Sequence, residues 1–423
     1  MSAAVPILTV HRAANEIGGN CIEIALGGHR LVLDAGSRIE SGSVAKSGCT
    51  LPPTLDVSAP VDALVISHPH QDHYGLLPEL PTNWPVWSGK AAEILMRMTA
   101  ALRGERIEQQ FQSYHAWASF SVGPFTITPY LTDHSAFDAH MLLVECAGRR
   151  ILYSGDFRRT GRKAALVSRL MASPPLPLDV LLLEGTTLGR TEPFPTEAEL
   201  EDELVSLFRR TVGRVFITWS AQNIDRTVTI YRACKRTGRT LVLDLYTLGV
   251  LDRLSEFYDS LPRLGWPQIL GVVTASMMRL YENPSRLNAP EFVERCARSG
   301  KAVGAAKLVD VQDGVVMLRP SLLRDFMRKG LKIEKNDAWV FSMWSGYLEG
   351  AEYLEVRHLV DEAGAAFVQI HTSGHASSPD LEEFATRMSS RHLVPIHSFG
   401  WDSHIQRFSN VRRLQDGEPF PVT

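Results

Sequence analysis

Three histidines and one aspartate are packed into six consecutive residues of this sequence, His68-Pro69-His70-Gln71-Asp72-His73. Imidazole nitrogens and carboxylate oxygens are ligands that zinc takes in proteins, and imidazoles this close together would repel one another if they were protonated. In an extended chain His68 and His70 point the same way, whereas Asp72 and His73 can turn toward a second position. The segment therefore predicts a divalent-metal site, for one ion or for two. The alternative is a polar loop that contains a few histidines.

The remaining histidines indicate which parts of the chain build the site. An apolar run, residues 63–66 (ALVI), predicts a buried strand that ends just before His68. Of the 14 histidines, six fall between His68 and His140, six between His358 and His404, and none in residues 141–357. We therefore expect the metal chemistry to belong to the two ends of the chain, with a long insert between them.

The first end of the chain is predicted to be rich in strands joined by tight turns. Residues 20–34 form two apolar runs joined at Gly27-Gly28, a dipeptide that tolerates the positive φ of a hairpin turn, and the second run ends at Asp34. A similar unit, residues 141–156, ends at Asp156. Between them we predict a helix over 91–103 and a strand over 125–131 that leads to His134. These patterns indicate two halves of one β-rich sandwich.

The middle of the chain has a different pattern. Residues 180–183 (VLLL) predict a buried strand that ends at Glu184, and Thr196 has capping-box spacing to Glu199 at the start of a helix over 196–210. Strands at 215–219, 240–245 and 338–341 and a helix at 223–235 then alternate. This alternation is typical of a parallel sheet in a small α/β domain.

After about residue 365, apolar strands that carry histidines return. A strand at 366–370 leads to His371 and His375, and a strand at 393–396, after a helix at 379–388, leads to His397. We therefore expect three segments, with the first part of a metal domain at 1–192, an inserted domain at 193–364, and the second part of the metal domain at 365–423.

Composition limits the class of protein. With 423 residues, of which 44% are hydrophobic, the chain can bury a sizeable core and is expected to form two domains. It has no apolar run of the roughly 18 residues that a membrane span needs, and its start lacks the pattern of a secretory signal. Its scattered cysteines argue against a disulfide framework and a cysteine zinc site; they are Cys21, Cys49, Cys146, Cys234 and Cys296. We expect a soluble, cytoplasmic protein whose cysteines are reduced core residues.

The charge balance gives no global sign of nucleic-acid binding. The formal net charge is -3 and the sequence pI is about 6.5. A metal-lined cleft needs only a local basic lining, however, and Arg158, Arg159, Arg162 and Lys163 cluster beside Asp156. This basic run is either such a lining or a solvated surface loop.

The order of these motifs resembles the β-CASP branch of the metallo-β-lactamase superfamily, which consists of nucleases. The resemblance covers nearly the whole chain, from Asp34 through residues 68–73 to His397. Residues 371–377 (HTSGHAS), 394–397 (VPIH) and 15–20 (NEIGGN) look most like the ribonuclease J members of that branch, without their C-terminal domain. The resemblance implies an α/β fold, a metallo-β-lactamase αββα sandwich with an inserted β-CASP α/β domain.

The resemblance also implies a ligand set for two zinc ions. His68, His70 and His134 would bind one ion, and Asp72, His73 and His397 the other, with Asp156 as the bridge. Two cations roughly 3.5 to 4 Å apart need a shared anionic ligand, and together they lower the pKa of a bridging water enough to give hydroxide near neutral pH. This hydroxide would attack the phosphorus. Asp34 would orient a ligand histidine from behind, with a turn aspartate as the alternative.

Further residues are implied to act on the substrate. His375 would donate a proton to the leaving oxygen or hydrogen-bond the phosphate, Glu184 would fix its tautomer, and Asp72 completes the catalytic set. A substrate phosphate would be bound by His371, Ser373 and Gly374, with Ser342 and Ser345 from the insert. The loop at 342–347 (SMWSGY) departs from the ribonuclease J pattern, which leaves a 5′-phosphate pocket and exonuclease action open. Trp219, Trp344 and Tyr347 either stack on bases or pack in the core or rim.

The leading interpretation is a two-zinc ribonuclease, acting as a 5′ exonuclease, an endonuclease or both. A DNA nuclease is the close rival, since the same metal pair attacks either backbone and only contacts to the 2′-hydroxyl separate them. A small-molecule hydrolase of the lactamase or thioesterase type would need no insert, and a metal-free scaffold that binds RNA or a partner nuclease is the non-enzymatic alternative. The expected partner is RNA, or else DNA, and not a membrane; a homodimer is left open.

Overall fold

The structure is a computed structural model that describes residues 4–39 and 50–423. The chain folds into two compact units. The first contains the chain up to Arg97, Arg106–Phe194 and Ser373–Thr423, and the second contains Met98–Glu105 and Pro195–Thr372. Within the described ranges, the helices are too short or too polar to cross a membrane.

The first stretch of the chain, up to residue 194, is mostly strands. The strands are β1 (Ile7–Arg12), β2 (Cys21–Leu26), β3 (His29–Leu33), β4 (Ala63–Val65), β5 (Val86–Gly89), β6 (Phe111–Tyr114), β7 (Phe120–Val122), β8 (Phe125–Leu131), β9 (His140–Cys146), β10 (Arg149–Tyr153) and β11 (Val180–Leu183). The helices are α1 (Gln71–Tyr74), α2 (Lys90–Arg103) and α3 (Ala164–Ala172), with a short 3-10 helix at Leu77–Glu79.

The second unit is built from alternating strands and helices. Its strands are β12 (Val215–Thr218), β13 (Thr240–Asp244), β14 (Ile269–Val273), β15 (Ala302–Gly304), β16 (Gly314–Met317), β17 (Ala338–Phe341) and β18 (Ala366–Gln369). Its helices are α4 (Glu197–Arg210), α5 (Ile224–Thr237), α6 (Leu245–Ser255), α7 (Ala275–Glu282), α8 (Pro290–Arg298), α9 (Pro320–Met327) and α10 (Ala351–Ala363), with 3-10 helices at Ala305–Asp310 and Ser345–Glu349. The strands pair in parallel in the order β15-β14-β13-β16-β12-β17-β18, as alternating helices and strands require.

The last stretch of the chain returns to the first unit. It contains α11 (Ser378–Met388), β19 (His392–Pro395), α12 (Trp401–His404), a 3-10 helix at Ile405–Arg407 and β20 (Pro419–Pro421). These strands complete two sheets, one in the order β20-β1-β2-β3-β4-β5-β6 and the other in the order β19-β11-β10-β9-β8-β7. The two ends of the chain therefore share both sheets.

The two sheets of the first unit enclose one apolar core. Alternate residues of β1 and β2, such as Leu8 and Ile22, belong to the same buried cluster as Val144 and Ile151 of the other sheet. The opposite face of the second sheet, which includes Leu143, is covered by apolar residues of α3 and α11. This is the layered arrangement that the resemblance implies. The helices that cover the outer face of the second sheet confirm that part of the predicted fold class.

Most predicted elements form within a residue or two of the predicted bounds. The Gly27-Gly28 turn has positive φ at both residues, +57° and +91°, and joins β2 to β3. The side chain and backbone of Thr196 make the reciprocal capping box with Glu199. One strand needs a correction: the sequence pattern assigns Ala366–Gln369 to the metal domain, but this strand pairs in parallel with β17 and so extends the sheet of the second unit. Of the predicted core cysteines, Cys49 lies outside the described residues, and the other four are buried free thiols.

Candidate metal centre

Strand ends position the predicted metal ligands of the first unit. His134 follows β8 after two residues, Asp156 follows β10, and His397 follows β19. Strands β10, β11 and β19 are parallel neighbours, so their carboxyl ends meet at one edge of the second sheet. His68 lies just beyond β4, in the other sheet of the same unit.

The first cluster of ligand atoms consists of His68, His70 and His134. One ring nitrogen from each lies within 4.8 Å of the others. The Nε2 atom of His134 is 3.1 Å from Nδ1 of His70. Two nitrogen ligands of a tetrahedral zinc ion, each bonded at about 2.0 to 2.1 Å, lie about 3.3 Å apart, so this spacing fits a shared cation.

The second cluster consists of Asp72, His73, Asp156 and His397, whose ligand atoms also lie within 4.8 Å of one another. Asp156 has Oδ2 at 3.2 Å from Nε2 of His73 and Oδ1 at 2.8 Å from Nδ1 of His397. The same Oδ2 atom is 3.7 Å from Nε2 of His68 in the first cluster. Asp156 thus faces both clusters, as a bridging carboxylate must.

The donor atoms of the two clusters fit metal ions. Among the described residues, four buried atoms of the clusters have no hydrogen-bond partner, namely Nε2 of His68, His73 and His397 and Oδ2 of Asp156. Leaving a buried polar atom without a partner is costly, and several such atoms facing one another are rare unless something else satisfies them. Divalent cations satisfy imidazole nitrogens and carboxylate oxygens together.

Burial also sets the protonation of the first cluster. Burial, with neighbouring imidazoles, lowers the pKa of His68 and of His134 well below the ordinary value, and burial lowers the pKa of His70 to about 4. These three rings are therefore neutral near pH 7, which is the form that binds metal. In the second cluster burial alone would raise the pKa of Asp72, but His73 and His397 outweigh it and lower the pKa to about 2.

Asp34 lies directly behind the second cluster. Its Oδ2 atom accepts hydrogen bonds from the Ser67 hydroxyl at 2.6 Å and the Tyr153 hydroxyl at 2.6 Å, and it lies 2.7 Å from Nδ1 of His73. Its Oδ1 atom accepts the backbone N–H of Ser67 at 2.7 Å. The carboxylate thus fixes the ring of His73 with Nε2 directed to the cluster, the geometry that a metal ligand needs from its neighbours.

A close backbone approach holds the turn at Asp34 against α1, the helix that carries the predicted ligands Asp72 and His73. A Cβ atom on Gly36 would lie 1.7 Å from the carbonyl oxygen of Asp72, so only glycine fits there. Beside it, the backbone N–H of Ala35 donates to the carbonyl of His73 at 2.8 Å. The Asp34-Ala35-Gly36 turn therefore positions two of the predicted ligands, Asp72 and His73, through the backbone as well as through the carboxylate.

The sequence left two alternatives for the basic run after Asp156, a local basic lining of a cleft or a solvated surface loop. Its first member, Arg158, is neither. Arg158 is fully buried and forms an ion pair with buried Asp133, Nε to Oδ1 at 3.4 Å. It also donates to the carbonyl of Ser373 at 3.2 Å. Nδ1 of His134 donates to the carbonyl of the next residue, Gly374, at 2.5 Å. Arg158 therefore holds the His134 loop and the loop before His375 in place.

His375 and Glu184 form a pair at the edge of the second cluster. Nδ1 of His375 is 3.0 Å from Oε2 of Glu184 and 3.7 Å from Oδ2 of Asp156. Glu184 is fully buried and also accepts the backbone N–H of Phe157 at 2.9 Å. Burial alone would lower the pKa of His375, but Glu184 and Asp156 outweigh it and raise the pKa above its ordinary value, which favours the protonated ring.

The predicted phosphate-binding residues are divided between the two units. Ser373 and Gly374 belong to the first, where Ser373 Oγ accepts the backbone N–H of His375 at 3.1 Å. His371, Ser342 and Ser345 belong to the second. The hydroxyl of Ser342 is buried, accepts from Arg226 and donates to the carbonyl of Ile370, so its contacts are those of a structural residue.

Three residues that support the site were missed by the sequence analysis. Tyr153 is buried in β10 and Asn20 donates to its hydroxyl at 2.8 Å, so the tyrosine links Asn20 to Asp34. The third, Ser67, is the residue just before His68. For Tyr153, the sequence held one signal of this supporting role, namely its position at the end of an apolar run, beside Ser154-Gly155-Asp156.

Known proteins resemble this chain in sequence. Residues 14–217 match the family model of the metallo-beta-lactamase superfamily. The chain is 24% identical to ribonuclease J of Mycobacterium tuberculosis over 396 residues, which cover 90% of this chain and 67% of that protein. It is also 24% identical over 269 residues to an RNase J-like protein of Methanocaldococcus jannaschii, covering 60% of this chain and 61% of that one.

A solved structure resembles the fold over its whole length. It is a protein of unknown function from Enterococcus faecalis V583, with a TM-score of 0.78 and 18% identity, covering 99% of this chain and 100% of that one. At this identity the likeness concerns the fold.

Proposed function

We propose that this chain, which contains a domain of the metallo-β-lactamase superfamily, is a two-zinc ribonuclease that hydrolyses RNA phosphodiester bonds. The domain and the ribonuclease J relatives support a metal-dependent hydrolase of the nuclease kind. The observation that carries the proposal is the convergence of His68, His73, Asp156 and His397, whose buried donor atoms have no hydrogen-bond partner in the described part of the chain.

The proposed metal ligands fall into the two clusters. His68, His70 and His134 would hold one zinc ion, and Asp72, His73 and His397 the other, with Asp156 shared because its Oδ2 atom faces both. Bound there, two divalent cations supply positive charge for a phosphate and acidify water enough for hydrolysis at neutral pH. Asp34 would keep the ring of His73 oriented throughout.

His375 would act on the substrate as the proton donor. Glu184 and Asp156 raise its pKa above the ordinary value, and this favours the protonated ring that a donor to the leaving oxygen needs. The contact of Nδ1 with Glu184 leaves Nε2 as the nitrogen that can face a phosphate. Glu184 itself is fixed by Phe157 and Thr186, so the ring orientation is set before substrate binds.

RNA is the proposed substrate because relatives named ribonuclease J match 90% of the chain. Ser373 and Gly374 are proposed to bind the phosphate next to the scissile bond, as loop residues beside His375. Action from the 5′ end, internal cleavage, a homodimer and a cytoplasmic location stay predictions.

Cleavage assays on the purified protein test this function. The protein is expected to cleave single-stranded RNA, and a chelator is expected to stop it. His70→Ala and Asp156→Asn are expected to remove the activity, whereas His358→Ala, a change at a histidine that is 72% exposed, is expected to keep it. Matched DNA and RNA oligonucleotides, together with circular RNA, separate DNA from RNA cleavage and internal from terminal cleavage. Full activity in both ligand variants would contradict the proposal.

A further inference from the structure

The carboxyl edge of the second unit's parallel sheet carries a cleft of about 300 Å³. Most of its lining residues lie just past the ends of strands: residues 219–222 after β12, Tyr246 after β13, Arg319 after β16 and Met343 after β17. Thr99 and Tyr353 complete the wall. The volume lies at the lower end of the range for small-ligand sites, roughly 300 to 1,000 Å³.

The cleft lies where the connections between strands reverse their direction along the sheet. Strand β12 connects through α5 to β13 on one side of it, whereas its neighbour β17 connects through α10 to β18 on the other side. In open parallel sheets, loops that diverge in this way leave a crevice outside the carboxyl ends of the strands, and ligands bind there. The position of the cleft is therefore that of a ligand site.

The lining combines aromatic rings with one arginine. Trp219 and Tyr246 are buried, and Tyr353 packs edge-to-face on Phe341 with ring centroids 5.3 Å apart. The guanidinium carbon of Arg319 lies 5.6 Å from the centroid of the Tyr246 ring. Aromatic faces and a guanidinium plane are the groups on which planar heterocycles stack.

The polar groups of the cleft are held in fixed positions. Arg319 is paired with fully buried Asp244 at 3.1 Å, so its charge is balanced and its guanidinium is oriented. The amide nitrogen of Gln222 donates to the Thr99 hydroxyl at 2.6 Å and to the Tyr246 hydroxyl at 2.9 Å. Such a site offers a planar ligand fixed hydrogen-bonding groups and one oriented cation beside the aromatic rings.

We propose that this cleft binds one nucleotide, with its base against the aromatic wall and its phosphate toward Arg319. The choice of a nucleotide among planar ligands rests on the proposed ribonuclease function. The nucleotide is either a free mononucleotide or one unit of a single strand. Aromatic surface continues beyond the cleft, because Met343 is followed by Trp344 and Tyr347, whose side chains are 51% and 50% exposed.

The test is a fluorescence titration of the full-length, metal-loaded protein with 2-aminopurine riboside 5′-monophosphate, whose emission falls when the base stacks. Ser220→Trp fills the cleft from an exposed position, and Tyr353→Ala removes part of its wall. Ser206→Trp adds the same indole at an exposed position of α4 that is not part of the cleft. His70→Ala tests the metal cluster in the same assay. Circular dichroism verifies that each variant is folded.

We expect quenching with the wild type, Ser206→Trp and His70→Ala, and at least ten-fold weaker binding with Ser220→Trp and Tyr353→Ala. No quenching with the wild type, or unchanged binding by Ser220→Trp, overturns the inference. Loss of binding in His70→Ala alone also overturns it, because the nucleotide then binds at the metal cluster. The proposed ribonuclease function fails separately, if the wild type cleaves no RNA.

A second titration separates the two sources of the nucleotide. It uses a nuclease-resistant single-stranded oligonucleotide that carries one 2-aminopurine. Binding at least ten-fold tighter than that of the mononucleotide, and weakened by Ser220→Trp, identifies a strand as the occupant. Equal binding of the two probes, both weakened by Ser220→Trp, identifies the free mononucleotide.

Discussion

The hydroxyl of Tyr153 donates a hydrogen bond to Oδ2 of Asp34 at 2.6 Å, and the same oxygen lies 2.7 Å from Nδ1 of His73. Tyr153 is fully buried in β10 of the second sheet, whereas Asp34 follows β3 of the first. The contact therefore joins the two sheets directly behind a predicted metal ligand, and it makes Tyr153 a positioning residue for His73.

Tyr153→Phe is expected to weaken metal binding about 10- to 100-fold, because the carboxylate that orients His73 loses one of its donors. Competition with a chromophoric chelator measures the affinity. Tyr281→Phe is the matched control, since it removes a buried hydroxyl that donates to the Leu245 carbonyl at 3.0 Å in the second unit. An affinity in Tyr153→Phe equal to that of the control variant counts against this role.

His375→Ala is expected to lower kcat for RNA cleavage by about 10² to 10⁴, because a proton donor to the leaving group is lost. The zinc content, measured by mass spectrometry, is expected to stay that of the wild type. Glu184→Gln keeps the shape of the partner and should cause a smaller loss. If His375→Ala instead loses zinc, the residue is a metal ligand, as its closeness to Asp156 and Glu184 also allows.

Arg158→Met is expected to lower the free energy of unfolding by about 3 to 5 kcal/mol, because the buried carboxylate of Asp133 loses its charged partner. Arg159→Met is the matched control at the next position. Arg159 is 24% exposed and pairs with Asp380 and Glu383 near the surface, so its loss should cost about 1 kcal/mol or less. Urea unfolding of both variants measures the difference, and equal values would contradict the burial argument.

Glu23 gives a prediction for acid pH. Burial alone would raise its pKa, but hydrogen bonds from His11 and Arg30 outweigh it and lower the pKa from 4.5 to about 2. A carboxylate with a depressed pKa stabilises the fold above its unfolded pKa, and this contribution is lost as the pH falls toward its folded pKa.

Glu23→Gln should therefore be less stable than the wild type by about 1 to 2 kcal/mol at pH 7, a value that allows for solvent screening of the pair. The difference should stay constant down to about pH 4.5 and shrink between pH 4.5 and pH 2. Urea unfolding across this range measures it, with Glu203→Gln on the exposed side of α4 as the control. A difference that grows on acidification would refute the sign.

The sequence was sufficient to predict the elements that carry the candidate metal ligands. Apolar runs of four to seven residues, such as VLLL at β11, end at acidic residues or histidines, so type and position coincide. Residues that can bind metal ions are chemically distinctive, and the grouping of the candidates at both ends of the chain indicated that these ends share one structure. The three-dimensional clusters agree with that expectation.

The supporting residues could not be predicted, because their roles depend on distant partners. Arg158 belongs to a basic run that looks like a solvated loop, and only the fold places it against Asp133. In the sequence, Tyr153 resembles any other apolar strand residue, and only the fold brings its hydroxyl to Asp34 of the other sheet. The short strands β14, β15 and β16 were missed because runs such as AVG carry little periodic signal.

The most direct test of the account is anomalous X-ray scattering from crystals of the zinc-loaded protein, measured on both sides of the zinc absorption edge. We predict two anomalous peaks, one at about 2.0 to 2.1 Å from nitrogens of His68, His70 and His134 and one at similar distances from Asp72, His73 and His397. Asp156 should lie between the two peaks. Peaks elsewhere in the chain, or none at all with His397 and Asp156 turned away from His68, would contradict the account.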